Sequence, residues 1–415
     1  MTARDLRTKF LEYFENKGHK VMPSSSLIPK DDPSILLTTA GMQQFKLYFA
    51  GVKNVQEDFG GSDLVSIQKC FRTSDIDEVG DESHLTFFEM LGNFSIGGYG
   101  KKEAIEYAWE LMTSSDWYSL HKENFFSTVF AGDGEIPADS ESESFWKSIA
   151  PDIEVKKLGR DDNFWPKPIW IGTCGPSSEL HYNLENGGLE IWNLVFTQYF
   201  HNGDGSFKDL GKVNIDTGMG LERLTMISQN KSSVFETDLF TPIIKKIDKI
   251  TDQPYGVDSK SDRRIRIIAD HIKASTFLIA DGVEPSNKER GYILRRLIRR
   301  AVIHAKALRE DFGSLTQISQ VVVDGYSDQY PELKNANLNI LEQEEKRFEN
   351  TLSEGMKKYQ ETGENISGEE TFLLFQSFGF PIELVEELSK EDGKTVDLAG
   401  FEEEFKKHQE ASRAS

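Results

Sequence analysis

"VNIDTGMGLERLTM" runs from Val213 to Met226. β-prone residues lead to Asp216, glycines bracket Met219, and Glu222-Arg223 follow where the pattern turns helical. Glycines at 218 and 220 allow close approach to the backbone. An aspartate on one side can take an ammonium, and an arginine in a first helical turn can hold a terminal phosphate. Such a layout suits a small zwitterion beside a phosphate. On this stretch alone, a strand–turn–helix with a surface ion pair would read the same.

The rest of the chain sets bounds. Its 415 residues suit two or three domains, and 38% hydrophobic with 11% aromatic content is globular. No apolar run has the length of a membrane span, and the charged N-terminus is not a secretory signal. Cys70 and Cys174 are the only cysteines, which points away from a disulfide framework and toward a reducing, cytoplasmic compartment. Histidines lack HExxH spacing and the cysteines lack CxxC, so no structural zinc is expected. A net charge of -21 argues against nucleic acid, yet Lys288 to Arg309 carries eight Lys/Arg and one acid, Glu289. Such a stripe can still bind a polyanion, because exposed charges beyond about 8–10 Å are screened.

Residues 2–17 predict a helix with a Thr2/Asp5 capping box, Leu6, Phe10 and Phe14 on one face, and Gly18 as the stop. "PSILLTT" reads as a short buried strand. "DLVSIQKCFRT" and "HLTFFEML" read as strands around a polar loop, 74–83, and "KKEAIEYAWELMTS" as a helix. "FFSTVFAG", "LEIWNLVFTQYF" and "KVNID" are further strands, with "NGDG" at 202–205 turning between the last two. After about 235 helical patterns take over, at 262–281, 288–309 and in "LNILEQEEKRFENTLSEGMKKY", where Leu338, Leu341, Phe348, Leu352, Met356 and Tyr359 share a face. The expectation is an α+β domain on an antiparallel sheet, 1–235, then an all-helical domain, 236–415.

Arg72 ends one strand, and His84 and Phe88 are placed on the next. Two strands across a loop can present a phosphate-gripping fork and a ring for a base. A surface arginine and a core phenylalanine in a hairpin would look alike. "CGPSSE" at 174–179 reads only as a loop, and Cys174 as a structural thiol, since no Cys-His pairing signature accompanies it. "NKERGYILRRLIRR" sets Arg295 with Arg299, and Arg296 with Arg300, four apart, a basic face suited to phosphate tracking. Solvated faces normally mix in acids, which this one lacks.

Together the stretches "TTAGMQQFK" (38–46), "FFEMLGNFS" (87–95), "DNFW" (162–165), "CGPSSE", "EIWNLVF" (190–196), "DTGMGLER" (216–223), "ADHIKASTFLIADGVEPSN" (269–287), "RGYILRRLIRRA" (290–301), "EEKRFENTLSEG" (344–355) and "GFPIEL" (379–384) resemble one family, the alanyl-tRNA synthetases of class II, in family order and over nearly the whole chain. The resemblance implies the class II antiparallel sheet, with ATP and Mg²⁺ as cofactors. It implies activation of L-alanine to alanyl-adenylate, then transfer to the 3′ end of tRNA(Ala) through its acceptor stem. A cytoplasmic monomer without membrane contact is expected. By matching positions, Asp216 takes the alanine ammonium, Asn193 contacts the amino acid, and Val195 and Trp165 wall the methyl group, with Trp170 second in line. Arg72 grips the α-phosphate and Arg223 the γ-phosphate, the two catalytic arginines. His84, Phe88, Met42, Gly220 and Trp165 line the ATP site. Asn287, Arg295, Arg296, Arg299, Arg300 and Glu383 face the tRNA.

The chain departs from the family at some positions. Leu85 stands where a second histidine is usual, "CGPSSE" has serine where cysteine is common, and "NFWPKPIW" holds an extra residue. Gln376 replaces the acid of the usual stretch, leaving Glu383 as the candidate acid for the tRNA contact. The family normally continues into an editing domain, whose HxxxH signature is not in this sequence. A non-catalytic paralogue that binds tRNA would be expected to lose Arg72, Asp216 or Arg223, and an enzyme serving a carrier would not need "RGYILRRLIRRA"; all of these are present.

Overall fold

The computed structural model describes residues 1–30, 32, 35–165, 172–184 and 187–414. Two compact units emerge. One comprises Met1–Ile76 and Phe87–Thr241; the other comprises Asp77–Thr86 and the chain from Pro242 onward. Residues 77–86 thus lie with the second unit, although they join two strands of the first.

The first unit is built on a sheet of β1 (Lys20–Met22), β2 (Asp63–Phe71), β3 (Phe87–Ser95), β4 (Phe125–Phe130), β5 (Glu154–Leu158), β6 (Phe164–Trp165), β7 (Gly172–Leu184), β8 (Gly187–His201) and β9 (Phe207–Gly220). Their order is β1-β2-β3-β9-β8-β7-β4-β5, with β6 against β7. The inner neighbours are antiparallel, as expected of the α+β reading, and β1–β2 and β4–β5 add a parallel pair at each edge. Alternation on β8 decides the two faces. Trp192 and Phe196 turn to the helices: Phe10 and Phe14 of the helix Ala3–Asn16 lie 6.2 and 6.4 Å from Trp192, ring to ring. Asn193, Val195 and Thr197 therefore turn to the opposite face. The N-terminal helix starts as its sequence predicts, with the Thr2/Asp5 box formed and Gly18 at φ +88 just beyond its end.

Two stretches differ from expectation. "PSILLTT" is not a strand where it is described: the Thr38 N–H donates to the Leu27 carbonyl, and the Thr38 carbonyl accepts from Phe71 N–H. Those bonds tie a loop to the end of β2 in place of a ladder; Pro33 and Ser34 lie outside the described residues. "CGPSSE" is strand, not loop. Its Gly-Pro pair sits at an irregularity in the β7–β8 register between Cys174 and Ser177. A Cβ at Gly175 would stand 1.9 Å from the Phe196 carbonyl oxygen, so glycine is required there, and the missing N–H of Pro176 falls where the ladder is already broken.

The second unit is helical. Its long members are Ser259–Ala280, Glu289–Leu308 and Asn339–Glu361, with shorter helices and a two-stranded pair, Asn365–Ile366 on Thr395–Val396, after them. Leu341, Phe348, Leu352 and Tyr359 are buried as their spacing predicts; Leu338 and Met356 are half-buried. Among the described residues, no helix is long and apolar enough to cross a membrane.

Candidate active site

On the sheet face away from Trp192, four rows of residues run across the strands. Ser177, Val195, Asp216 and Phe94 stand opposite one another on β7, β8, β9 and β3. In the next row Glu179 faces Asn193, which faces Gly218. Beyond that, Gly220 is level with Met90. On the other side of Asp216, Asn214 pairs with Thr197. Gly92 and Gly218 leave the middle flat: a Cβ on Gly92 would meet the Thr217 carbonyl oxygen at 2.7 Å, and one on Gly218 would meet Met90 Sδ at 2.8 Å.

The polar groups on this floor are not all paired. Asp216 is buried, and among the described residues no cation or donor reaches its carboxylate; burial alone pushes its pKa up to about 7. Asn193 donates Nδ2 to Glu179 Oε1 at 3.2 Å, but among the described residues nothing donates to its buried Oδ1. Glu179 is further held by His181 Nε2 at 2.8 Å and by the Thr128 hydroxyl. Two acceptors, one anionic, thus await donors one row apart. Unpartnered buried acceptors cost stability and are kept where a ligand supplies the donor.

Arginines mark the other end. Helix Leu221–Ser228 begins directly after Gly220, and Arg223 in its first turn donates Nη1 to the Glu190 carbonyl at 3.1 Å, with the Glu190 carboxylate 3.6 Å away. Burial, then the Glu179 carboxylate, raises the Glu190 pKa. Glu222 turns the opposite way and accepts the Glu89 N–H. Arg72 lies just past β2 with its guanidinium 5.0 Å from the centre of the Phe88 ring, so the expected fork and base platform are adjacent. Met42 packs against the cluster of Phe45, Leu64 and Phe94. Trp165 pairs across to Gly175 on β7 and is 38% exposed. Trp170 lies outside the described residues. His84 is not on a strand: Asp81 accepts the N–H groups of Ser83 and His84 and takes His84 Nδ1 at 2.5 Å, which holds the segment as a loop of the second unit. Cys174 is buried beside Phe130, Ile136 and Phe164, its thiol pushed up to about 11 by burial, the opposite of an activated nucleophile. Among the described residues no group of three metal-type ligands occurs.

A family model described as tRNA synthetases class II (A) matches residues 5–415. The chain belongs to this class II synthetase family. It is 44% identical over its full length to an alanine–tRNA ligase of Dehalococcoides mccartyi, covering 49% of that protein. It is 42% identical to alanine–tRNA ligases of Borrelia hermsii, covering 73%, and of Halalkalibacterium halodurans, covering 49%. The chain spans about half the length of most curated relatives it matches.

The helical part of this class II synthetase corrects one reading. The arginines of Glu289–Leu308 do not form an open phosphate-tracking face, because acids distant in sequence neutralise them. Arg299 Nε donates to Glu344 at 2.8 Å, and Arg295 lies 3.1 Å from the same carboxylate and also donates to Asn287 Oδ1. Arg300 forks onto Glu387 at 2.6 and 2.9 Å and meets His271 Nε2 at 2.8 Å. All three side chains are buried. Arg296 bonds Asp77 and approaches Glu383 at 3.5 Å, and Glu383 accepts the Tyr292 hydroxyl at 2.8 Å. The charges of this helix are balanced not along its own sequence but by acids on several other elements. Sequence reasoning also passed over Glu190, Asn214 and Ser177. The first lay in plain view at the head of "EIWNLVF"; the other two are ordinary strand residues until pairing puts them beside Asp216.

Proposed function

We propose that the chain activates L-alanine with ATP and passes it to the 3′ end of tRNA(Ala). The observation that carries this is the pair of acceptors without partners among the described residues, Asp216 and Asn193 Oδ1, beside Val195 on a sheet face that ends in Arg223. An α-ammonium satisfies both acceptors, and Val195 and Trp165 wall the methyl group. Gly220 is about 13 Å along the strand from Asp216, room for the carboxylate and the phosphates between. The α-phosphate lies on Arg72, the γ-phosphate on Arg223, and the adenine on Phe88; Met42 and Gly220 complete the ATP contacts of this unit.

The alanine carboxylate oxygen bonds to the α-phosphorus as the bond to the bridging oxygen breaks, and pyrophosphate leaves. In the second step the tRNA terminal hydroxyl oxygen bonds to the acyl carbon and AMP leaves. No protein nucleophile takes part; alignment and the two arginines lower the barrier. Mg²⁺ neutralises phosphate charge when bound, and Glu190, a carboxylate beside Arg223, fits its preference for one or two carboxylates plus phosphate oxygens.

Activation belongs to the sheet-based first unit, the bulk of 1–235, and tRNA recognition to the helical second unit, the bulk of 236–415 with the inserted 77–86. Arg296, Glu383 and Asn287 meet the acceptor stem, and Arg295, Arg299 and Arg300 hold the helix that presents them. The 44% identity to an alanine–tRNA ligase supports the substrate choice. The protein works as a cytoplasmic monomer. The test is ATP–pyrophosphate exchange with each amino acid, then charging of tRNA(Ala). Exchange led by another amino acid would overturn the assignment.

A further inference from the structure

The Asn193 amide carries one group an ammonium needs, an acceptor, and one it cannot use, a donor. Nδ2 donates to Glu179 Oε1 at 3.2 Å, directly opposite on β7. A carboxylate accepts and does not donate, so this bond permits one orientation of the amide. Nδ2 stays with Glu179, and Oδ1 is left for a ligand. Turned over, the amide would set its N–H donors against a cation that has only donors itself.

Glu179 is held in turn at its other oxygen. Oε2 takes His181 Nε2 at 2.8 Å and accepts the Thr128 hydroxyl at 3.3 Å. Asn163 Nδ2 donates to Thr128 Oγ1 at 2.8 Å, which leaves the Thr128 hydrogen for the carboxylate. Facing a carboxylate, His181 Nε2 carries the proton. The His181 ring lies flat on Phe126, its neighbour across β4, with ring centres 4.7 Å apart and planes 16° apart. Nε2 therefore cannot swing off the carboxylate without breaking that stack. The His181 and Glu179 side chains are only 15% and 11% exposed, so little water is at hand to replace their bond.

We infer that Glu179, held by His181, is a positioning residue of the amino-acid site: it turns the Asn193 amide so that Oδ1 receives the α-ammonium. The inference rests on the proposed alanine site. Glu179 acts through Asn193 and touches neither alanine nor ATP. The consequence is specific. Glu179→Gln keeps the shape, but the introduced amide must keep its oxygen at His181 and Thr128, which both donate. Its nitrogen then faces Asn193, and Asn193 turns over to meet it, with Nδ2 toward the ammonium.

Pyrophosphate exchange on the 415-residue chain, on Glu179→Gln, Asn193→Asp and their double variant, and on His181→Phe tests this. Glu179→Gln is expected to raise KM for alanine about tenfold or more, the worth of one hydrogen bond to a charged group, with KM for ATP unchanged. Asn193→Asp alone sets a second carboxylate against Glu179 and is expected to do the same. In the double variant the introduced amide donates to the introduced carboxylate, whose free oxygen again faces the ammonium. Its KM for alanine is expected to return to within about threefold of the parent. His181→Phe keeps the stack on Phe126 and loses the donor, and should raise KM for alanine about threefold. An unchanged alanine KM in folded Glu179→Gln overturns the positioning role and leaves the alanine site standing. So does a double variant no better than the two single ones, since a merely structural residue gains nothing from the second change. Should Glu179→Gln melt below the assay temperature, His181→Phe decides by the same criterion. Absence of alanine-dependent exchange in the parent chain overturns the alanine site, and the inference with it.

Discussion

Asp216 on β9 stands directly opposite Val195 on β8, a buried carboxylate level with a buried isopropyl group and with no cation in reach among the described residues. A group so placed is costly to the ligand-free protein and valuable to a bound ammonium. Asp216→Ala is therefore expected to abolish alanine-dependent pyrophosphate exchange, because a buried ion pair loses several kcal/mol when one partner is removed. Retention of near-normal exchange by a folded Asp216→Ala protein would move the ammonium site elsewhere.

The same carboxylate predicts a pH dependence. Its folded pKa, about 7, exceeds the ordinary carboxylate value near 4, so the ligand-free folded chain binds an extra proton between roughly pH 4 and 7. Stability from this group is thus greatest below about pH 4 and falls as pH rises to 7. Asp216→Asn should therefore raise ligand-free stability at pH 8 by about 2–4 kcal/mol and leave it nearly unchanged at pH 4, as read from urea midpoints at both pH values. In the parent, kcat/KM for alanine should drop up to tenfold per pH unit below 7, since the protonated acid does not hold an ammonium.

Arg300 and Arg296, one turn apart in phase on the same helix, should behave differently. Arg300 is buried against Glu387, whose carboxyl is held far below its usual range by His304 and Arg300 against the opposing effect of burial. Arg300→Ala removes the forked partner of that charge and leaves Arg263, 2.8 Å from the same carboxylate, to hold it, a loss of roughly 1–3 kcal/mol that should lower Tm by several degrees. Arg296→Ala should melt near the parent and weaken tRNA charging while sparing adenylate formation. Its log-affinity against log-salt slope should flatten by about 0.7–0.9, the value for one phosphate contact. Equal loss of exchange and charging in Arg296→Ala would make it a support of the active site.

Two glycines of the floor separate folding from binding. A Cβ at Gly92 meets a backbone carbonyl, which cannot yield cheaply; a Cβ at Gly218 meets the flexible end of Met90. Gly92→Ala should lower stability by about 1–3 kcal/mol or more. Gly218→Ala should fold, push Met90 aside and raise KM for ATP or alanine. If thermal melts ranked them the other way, the floor would be mispositioned.

By itself the sequence determined the elements whose signals are local. The Thr2/Asp5 box, the turn at 202–205 and the helix faces at Leu341, Phe348 and Leu352 follow from spacing alone, since capping and amphipathic burial act within a few residues. It also set the residue types of the site, because "DTGMGLER" carries its acid, its glycines and its arginine within eight consecutive residues. Tertiary structure decided what depended on partners far along the chain. Gly175-Pro176 became a strand irregularity and not a turn because the Phe196 carbonyl presses on it from β8. The arginine-rich helix lost its open basic face to Glu344, Glu383 and Glu387, which no helical periodicity connects to it. Asn214 and Ser177 turned from ordinary strand residues into unsatisfied neighbours of Asp216 only through register, since pairing chooses which side chains share a face and burial then removes the water that would have satisfied them.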